Sequence, residues 1–204
     1  MRIMLLPWLA CLAAGAARAA PALYRYDTVH SQILFSIDHD GFSRPFGRLP
    51  IARGWLRFDP DNLADSATAL EIDLSALDMG DAAWNRAVLG PALLDAGQDR
   101  YARFVSTSVE RVDASHGVLH GRLTLHGTSR PLAIAFTVNR VGATIYGMHR
   151  VAGFSATATL DRDDFGISGY PHAIGHSVQV WLSIEAIRDA HVDTTLPDPH
   201  EASR

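Results

Sequence analysis

Ten histidines in a chain of 204 residues are the first place to look for chemistry. His116 and His120 are four apart, as are His172 and His176. That spacing presents two imidazoles on one face only when the segment is helical. The first pair falls where an alternating apolar run begins, and the second follows Pro171 in a loop-like stretch, so neither predicts a metal site. Asp27, His30 and Ser31 have the residue types of a hydrolytic triad. They are sequence neighbours, however, without a strand-turn-helix nucleophile elbow or an oxyanion motif. Asp161, Arg162, Asp163 and Asp164 read as a solvated charged turn whose groups pair among themselves. There is no phosphate-binding loop and no dinucleotide fingerprint. Catalytic residues and metal ligands are therefore assigned to none, and no cofactor is expected.

What would position any such group is a succession of strands. Ile33, Phe35 and Ile37 alternate with Gln32, Ser36 and Asp38, the period-2 pattern of a half-buried strand. The same alternation recurs at Leu56 and Phe58, at Leu70, Ile72 and Leu74, and at Leu119, Leu123 and Leu125. It continues at Leu132, Ile134, Phe136 and Val138, at Phe154, Ala156, Ala158 and Leu160, and at Val178, Val180, Leu182 and Ile184. With a run near 103–109 this makes about eight strands, each with one apolar and one wet face, as in up-and-down antiparallel barrels. Gly41, Pro45, Gly47 and Gly54 mark bends in the first strand pair, and Asp59-Pro60 ends it. Between Leu77 and Arg100 the pattern changes. Trp84 and Val88 stand at i,i+4, and Gly90-Pro91 breaks the run before Leu93 and Leu94, which predicts one or two short helices capping a barrel end.

A net charge of −4 gives no electrostatic case for a nucleic-acid partner or an anionic membrane. Arg2 precedes an apolar run from Ile3 to Ala17, and Ala17-Arg18-Ala19 has the small-x-small cleavage pattern. Residues 1–19 are therefore expected to be a signal peptide that takes the only cysteine, Cys11, with it, and the mature protein is expected to be periplasmic and free of disulfides. Residues 20–188 form the expected barrel, and the polar, proline-broken stretch 189–204 is expected to be a disordered tail.

Three spaced motifs resemble the YceI-like family. The first comprises Asp27-x-x-His30-Ser31, Phe35, His39-x-Gly41-x-Ser43, Gly47 and Leu56-x-Phe58-Asp59-Pro60. The second runs from Leu123 through His126-Gly127 to Pro131, and the third from Gly153-Phe154-Ser155-Ala156 to Asp161-Arg162, followed by Asp164-Phe165-Gly166. Two departures stand out. Met79 occupies a position where the family commonly has threonine, and Asn85-Arg86-Ala87-Val88-Leu89 lacks the histidine of the family's helix. The resemblance implies a secreted bacterial protein with a lipocalin-like barrel that binds polyisoprenoid lipids.

The expected fold class is thus mainly β: an eight-stranded antiparallel lipocalin-like barrel with a short helical insertion between strands. Such a barrel is either packed solid or just wide enough for one small ligand. The small residues Ala152, Ala156 and Ala158 on one apolar face could leave room, and the resemblance points to a lipid cavity. Ligand-binding residues are expected at Phe35, Ile37, His39, Phe42, Phe46, Leu56, Phe58, Ile72 and Leu74. Trp84, Leu89, Leu93 and Leu94 are expected to add the cap's share, and Leu123, Phe136, Phe154 and Ala156 the far wall's. His30 and His39 read either as buried, hydrogen-bonded histidines near the mouth or as headgroup contacts. The expected function is a periplasmic binder or carrier of a polyisoprenoid lipid or isoprenoid quinone. Membrane redox proteins are the partners a quinone would imply, and a homodimer is compatible with this reading. The alternative is an enzyme acting on an isoprenoid or other small hydrophobic molecule at the barrel mouth. The scarcity of paired carboxylates on the apolar faces favours the binder.

Overall fold

The computed structural model describes residues 21–145 and 147–196. The expected signal segment and the last part of the expected tail, 197–204, lie outside the described residues. One antiparallel sheet closes on itself. Its first stave is made in two pieces, β1 (Ala22–Tyr26) and β2 (Gln32–His39), and its second in two more, β3 (Phe46–Leu49) and β4 (Ile51–Phe58). Then come β5 (Ala67–Asp73), β6 (Tyr101–Arg111), β7 (His116–Leu125), β8 (Thr128–Ala143), β9 (Arg150–Asp161) and β10 (Ile174–Arg188). Each stave pairs with the next, and β10 returns to the first. Along β10, Ala186–Arg188 pair with β1 and Ile174–Ser183 with β2, so ten strands make an eight-stave barrel. Closure removes the free edges of the sheet.

The alternation seen in the sequence becomes inside and outside. Tyr24, Leu56, Phe58, Leu70, Phe104 and Leu123 are buried in the interior. Two positions show how close the ladder runs to its rings. A Cβ on Gly47 would lie 2.3 Å from the Phe35 ring, and one on Gly117 2.5 Å from the Phe136 ring. Each ring lies against its glycine across the ladder, flat to the wall instead of across the lumen. β1 and β2 are joined on the outside at Asp27–Ser31, which Ser31 ties to β10 by accepting from the Glu185 N–H and donating to its carbonyl, each at 3.1 Å.

A single α-helix is found among the described residues, α1 (Ala82–Leu89). Asp81 starts it by accepting from the Ala83 and Trp84 N–H groups, both at 2.9 Å. Gly90 and Pro91 end it. Leu74, expected within a strand, instead opens a 3-10 turn, Leu74–Ala76, because Asp73 accepts from the Ser75 N–H and bends the chain there. Of the expected tail, Asp189 extends the ladder by donating its N–H to the Leu23 carbonyl.

Candidate functional site

The barrel encloses a cavity of about 290 Å³ whose surface is almost wholly apolar. Phe35, Ile37, Leu56, Phe58, Ile72, Leu74, Leu123, Phe136, Phe154 and Ala156 all line it, as do Trp84, Leu93 and Leu94 of the cap and His39 at the rim. Alternation brings these residues together because every inward position of a closed barrel faces the same lumen. The bottom of the cavity is sealed by buried Leu63, in a 3-10 turn between β4 and β5, and by Tyr26. The other end is partly open. There His39 and Trp84 line the cavity and remain exposed to solvent, in edge-to-face contact at 6.0 Å. That contact marks the mouth.

Three expected positions do not reach the cavity. Phe42 follows Asp40 and Gly41, both left-handed (φ 54° and 69°), and this turn swings its ring into solvent. Phe46 faces outward because its neighbour Gly47 takes the inward position opposite Phe35; its ring packs on Trp181 at 5.5 Å. Leu89 lies one residue beyond the Trp84–Val88 face of α1, about 100° round the helix from Val88.

His30 and His39 differ from the expectation of burial, although His39 lines the cavity as expected. Neither His30 nor His39 is buried. His30 sits at the β1–β2 joint, away from the lumen, with Nδ1 2.8 Å from Asp27. His116 pairs with Asp113 at 2.9 Å, His120 with Glu110 at 3.5 Å and His176 with Asp163 at 2.5 Å, each with a carboxylate of its own. Atoms of Asp161, Asp163 and His176 lie within 4.8 Å of one another, but all three residues are exposed.

Arg162 departs from the reading of the 161–164 turn as solvated, whereas Asp161, Asp163 and Asp164 are exposed as expected. It is only 2% exposed and borders the cavity near its mouth. Its guanidinium donates to four backbone carbonyls: Nε to Gly175 at 2.9 Å, Nη1 to Ile167 and Gly169 at 2.7 and 2.8 Å, and Nη2 to Ile174 at 3.0 Å. These bonds hold the 166–175 segment in place and seat Ile167 and Ile174 in the cavity wall. A Cβ on Gly169 would stand 2.0 Å from the Ala92 carbonyl oxygen, so this segment lies directly against the cap.

Sequence reasoning missed Arg162, Ile167, Ile174, Pro45 and Met79 as lining residues. For Ile174 a signal existed, since it has the parity of Val178, but the irregular register between them obscures it. Tyr26, Thr68 and Ser66 near the lumen are engaged by the fold. Tyr26 Oη lies 2.5 Å from Thr68 Oγ1, which donates to the Trp55 carbonyl, and Ser66 Oγ accepts from the Asp59 N–H. Burial pushes the Tyr26 phenol up to about 12 against the opposing hydrogen bond from Thr68, so it stays neutral at physiological pH.

A closed antiparallel barrel around an apolar lumen, with a helical cap at its open end, defines a lipocalin-like barrel protein. Residues 24–186 match the model of the YceI-like domain, and the chain belongs to the YceI-like family. A UPF0312 protein of Pseudomonas savastanoi pv. phaseolicola is 31% identical over 179 residues, covering 88% of this chain and 92% of that one. A UPF0312 protein of Vibrio cholerae serotype O1 is 34% identical over 154 residues, covering 74% and 80%. Among solved structures, BcnA of Burkholderia cenocepacia superposes with a TM-score of 0.71 at 21% identity, over 78% of this chain and 98% of that one. A polyisoprenoid binding domain from Saccharophagus degradans, implicated in plant cell wall breakdown, superposes with a TM-score of 0.62 at 13% identity, over 83% and 99%. At these identities the two structures share the fold.

Proposed function

We propose that the protein binds a polyisoprenoid lipid, or the isoprenoid tail of a quinone, inside the barrel and carries it through the periplasm. The observation that carries this reading is the cavity itself: apolar, closed below, and open at a mouth framed by His39 and Trp84. Family membership and the polyisoprenoid-binding neighbour support it.

Size refines the reading. A dry apolar cavity of about 150 Å³ accepts benzene, so about 290 Å³ accepts about twelve carbons, or roughly two isoprene units. Their burial would contribute up to about 8 kcal/mol before ordering costs, at ~0.8 kcal/mol per carbon. A longer chain would displace the cap or continue out of the mouth. His39 and Trp84 are then the groups a polar head would meet. The enzymatic alternative is disfavoured because Tyr26, Thr68 and Ser66 are committed to structural bonds and Arg162 donates to four carbonyls. Export rests on the Ala17-Arg18-Ala19 pattern, with the mature chain beginning at Ala20.

The test is extraction. Organic extracts of protein purified from its own periplasm should contain a prenyl lipid by mass spectrometry, and N-terminal sequencing should begin at Ala20. Trp84 fluorescence should change on delipidation and recover on adding a polyprenol. Failure of the native and refilled protein to retain any prenyl lipid would refute the reading, and a Trp84→Ala protein with full affinity would remove the cap from it.

A further inference from the structure

Exposed aromatic side chains gather at the mouth. Phe42 is 87% exposed and Tyr170 57%, and Trp84 also reaches solvent, while Phe46 stands below them on the outer wall against Trp181. The backbone holds their segments at one end of the barrel. The Phe42 N–H donates to the His39 carbonyl at 3.0 Å and the Asp40 N–H to the Ala173 carbonyl at 2.7 Å, while the Tyr170 carbonyl accepts from Ala173 and Ile174. Trp84 stands against His39 on the other side. Phe42, Phe46 and Tyr170 do not line the cavity, so the lumen does not explain their exposure.

We propose that this rim docks on a zwitterionic lipid bilayer, so that the mouth opens onto the membrane when lipid enters or leaves. The inference rests on the cavity being a lipid site and adds the partner of its mouth. An isoprenoid crossing water would re-expose its apolar carbons, so direct transfer needs the mouth to meet a lipid phase. Aromatic side chains favour that interface, as their rings sit at headgroup level. Charge selects the surface. The exposed rim carries Asp40, Asp81 and Asp164 against Arg44 and Arg86, while Asp163 meets His176 at 2.5 Å and Arg48 leans toward Asp78 at 3.9 Å. An anionic surface would repel this rim. The far end supplies the control, since Ile145 and Met148 in the β8–β9 turn are equally exposed but lie away from the mouth.

The experiment follows a fluorescent polyprenol from the protein to phosphatidylcholine vesicles, using the wild type, a Phe42→Ser/Tyr170→Ser variant and an Ile145→Ser/Met148→Ser variant. The wild-type transfer rate should rise in proportion to vesicle concentration. The rim variant should be about tenfold slower or more, as expected from removing two aromatic anchors, with its equilibrium polyprenol binding unchanged. The far-end variant should match the wild type, and anionic lipid should slow transfer. A rate independent of vesicle concentration would overturn the proposal. So would an equal loss in the far-end variant, acceleration by anionic lipid, or a change in oligomeric state caused by the rim substitutions, which would mean that a second copy covers this surface. If the protein takes up no polyprenol, the cavity reading fails separately. Docking is then decided by flotation of the unliganded protein with the same vesicles: rim-dependent flotation supports it, and none overturns it.

Discussion

The two halves of the barrel wall are built differently. Along β1, β4, β5 and β6 the inward side chains are large and fully buried: Tyr24, Leu56, Phe58, Leu70 and Phe104. Outside, the same half is clamped by Glu71, whose carboxylate takes Arg53 Nε at 2.5 Å and Arg103 Nε at 2.7 Å, linking three strands. Along β9 and β10 Phe154 and Ile184 are buried, but the other inward side chains toward the mouth are small or slender and only half-buried: Ala156, Ala158, Val178, Val180 and Leu182. Their outer face is mostly neutral and short-chained, with Ser155, Thr157, Thr159 and Ser183. Both walls line the cavity, and the smaller inward side chains leave more room beside the second. One half of the closed sheet supplies stability and the other supplies room, and the same alternation encodes both because it sets direction and leaves size free.

Truncation in the packed wall breaks this contrast with the largest expected effect. Phe58 meets Tyr24 at 6.5 Å and Phe154 at 5.1 Å, both edge-to-face. Phe58→Ala should cost about 3–5 kcal/mol, whereas Val180→Ala in the half-buried wall should cost about 1 kcal/mol. Denaturant midpoints at constant m decide it. Equal losses would mean that the two walls are equally packed.

Next comes the clamp. Burial pushes the Glu71 carboxyl up, but the Arg53 and Arg103 guanidiniums outweigh it and hold the pKa below the usual range. A depressed folded pKa gives stability that is present above the unfolded value, about 4.3, and is lost as pH falls toward the folded one. Glu71→Gln should cost about 2 kcal/mol at neutral pH, less than a fully buried pair because Arg53 is half exposed. The difference from wild type should shrink on acidification below about pH 4. A pH-independent difference would assign the loss to packing.

The open wall should answer oppositely. Ala158→Phe adds a ring to the void, so stability should change by no more than about 1–2 kcal/mol while prenyl lipid content falls sharply. A variant that kept full lipid content would place the ligand elsewhere than against β9.

Much of this contrast was legible in the residues. Period-2 alternation placed Phe35, Phe58, Ile72, Leu123, Phe136, Phe154 and Ile184 on one interior, where the structure has them. Ala156 and Ala158 signalled room. What escaped was whatever depends on the path between strands. The left-handed pair Asp40–Gly41 reset the parity of the connection and turned Phe42 outward. The five residues of β1 are too few for periodicity to declare Tyr24 and Tyr26 inward. Arg162 stood within a motif, but its burial was not legible, since a guanidinium satisfied by backbone carbonyls depends on a loop that comes later in the chain.

The smallest effect is expected where the two walls meet on the first stave. β1 pairs with β4 of the packed wall and β2 with β10 of the open one, and Asp27–Ser31 joins them. The hydrogen bond and charge of Asp27 raise the His30 pKa above its ordinary 6.5. Burial pushes Asp27 up, but bonding to the His30 ring and to the His30 and Val29 N–H groups outweighs this and lowers its pKa below 3.8. For His30, a raised folded pKa means stability that is complete below about 6.5 and lost as pH rises through the folded value. For Asp27, a depressed one means stability that is present above about 4 and lost as pH falls. The pair should therefore act between about pH 4 and 6.5 and fade above neutrality. His30→Ala should lower Tm most in that window and least at pH 8. NMR titration should put the His30 pKa above 6.5 in the wild type and return it toward that value in Asp27→Asn. An unchanged titration in Asp27→Asn would mean that the joint is held by Ser31 and Glu185 alone, and the two walls would then be linked by hydrogen bonds with no charge between them.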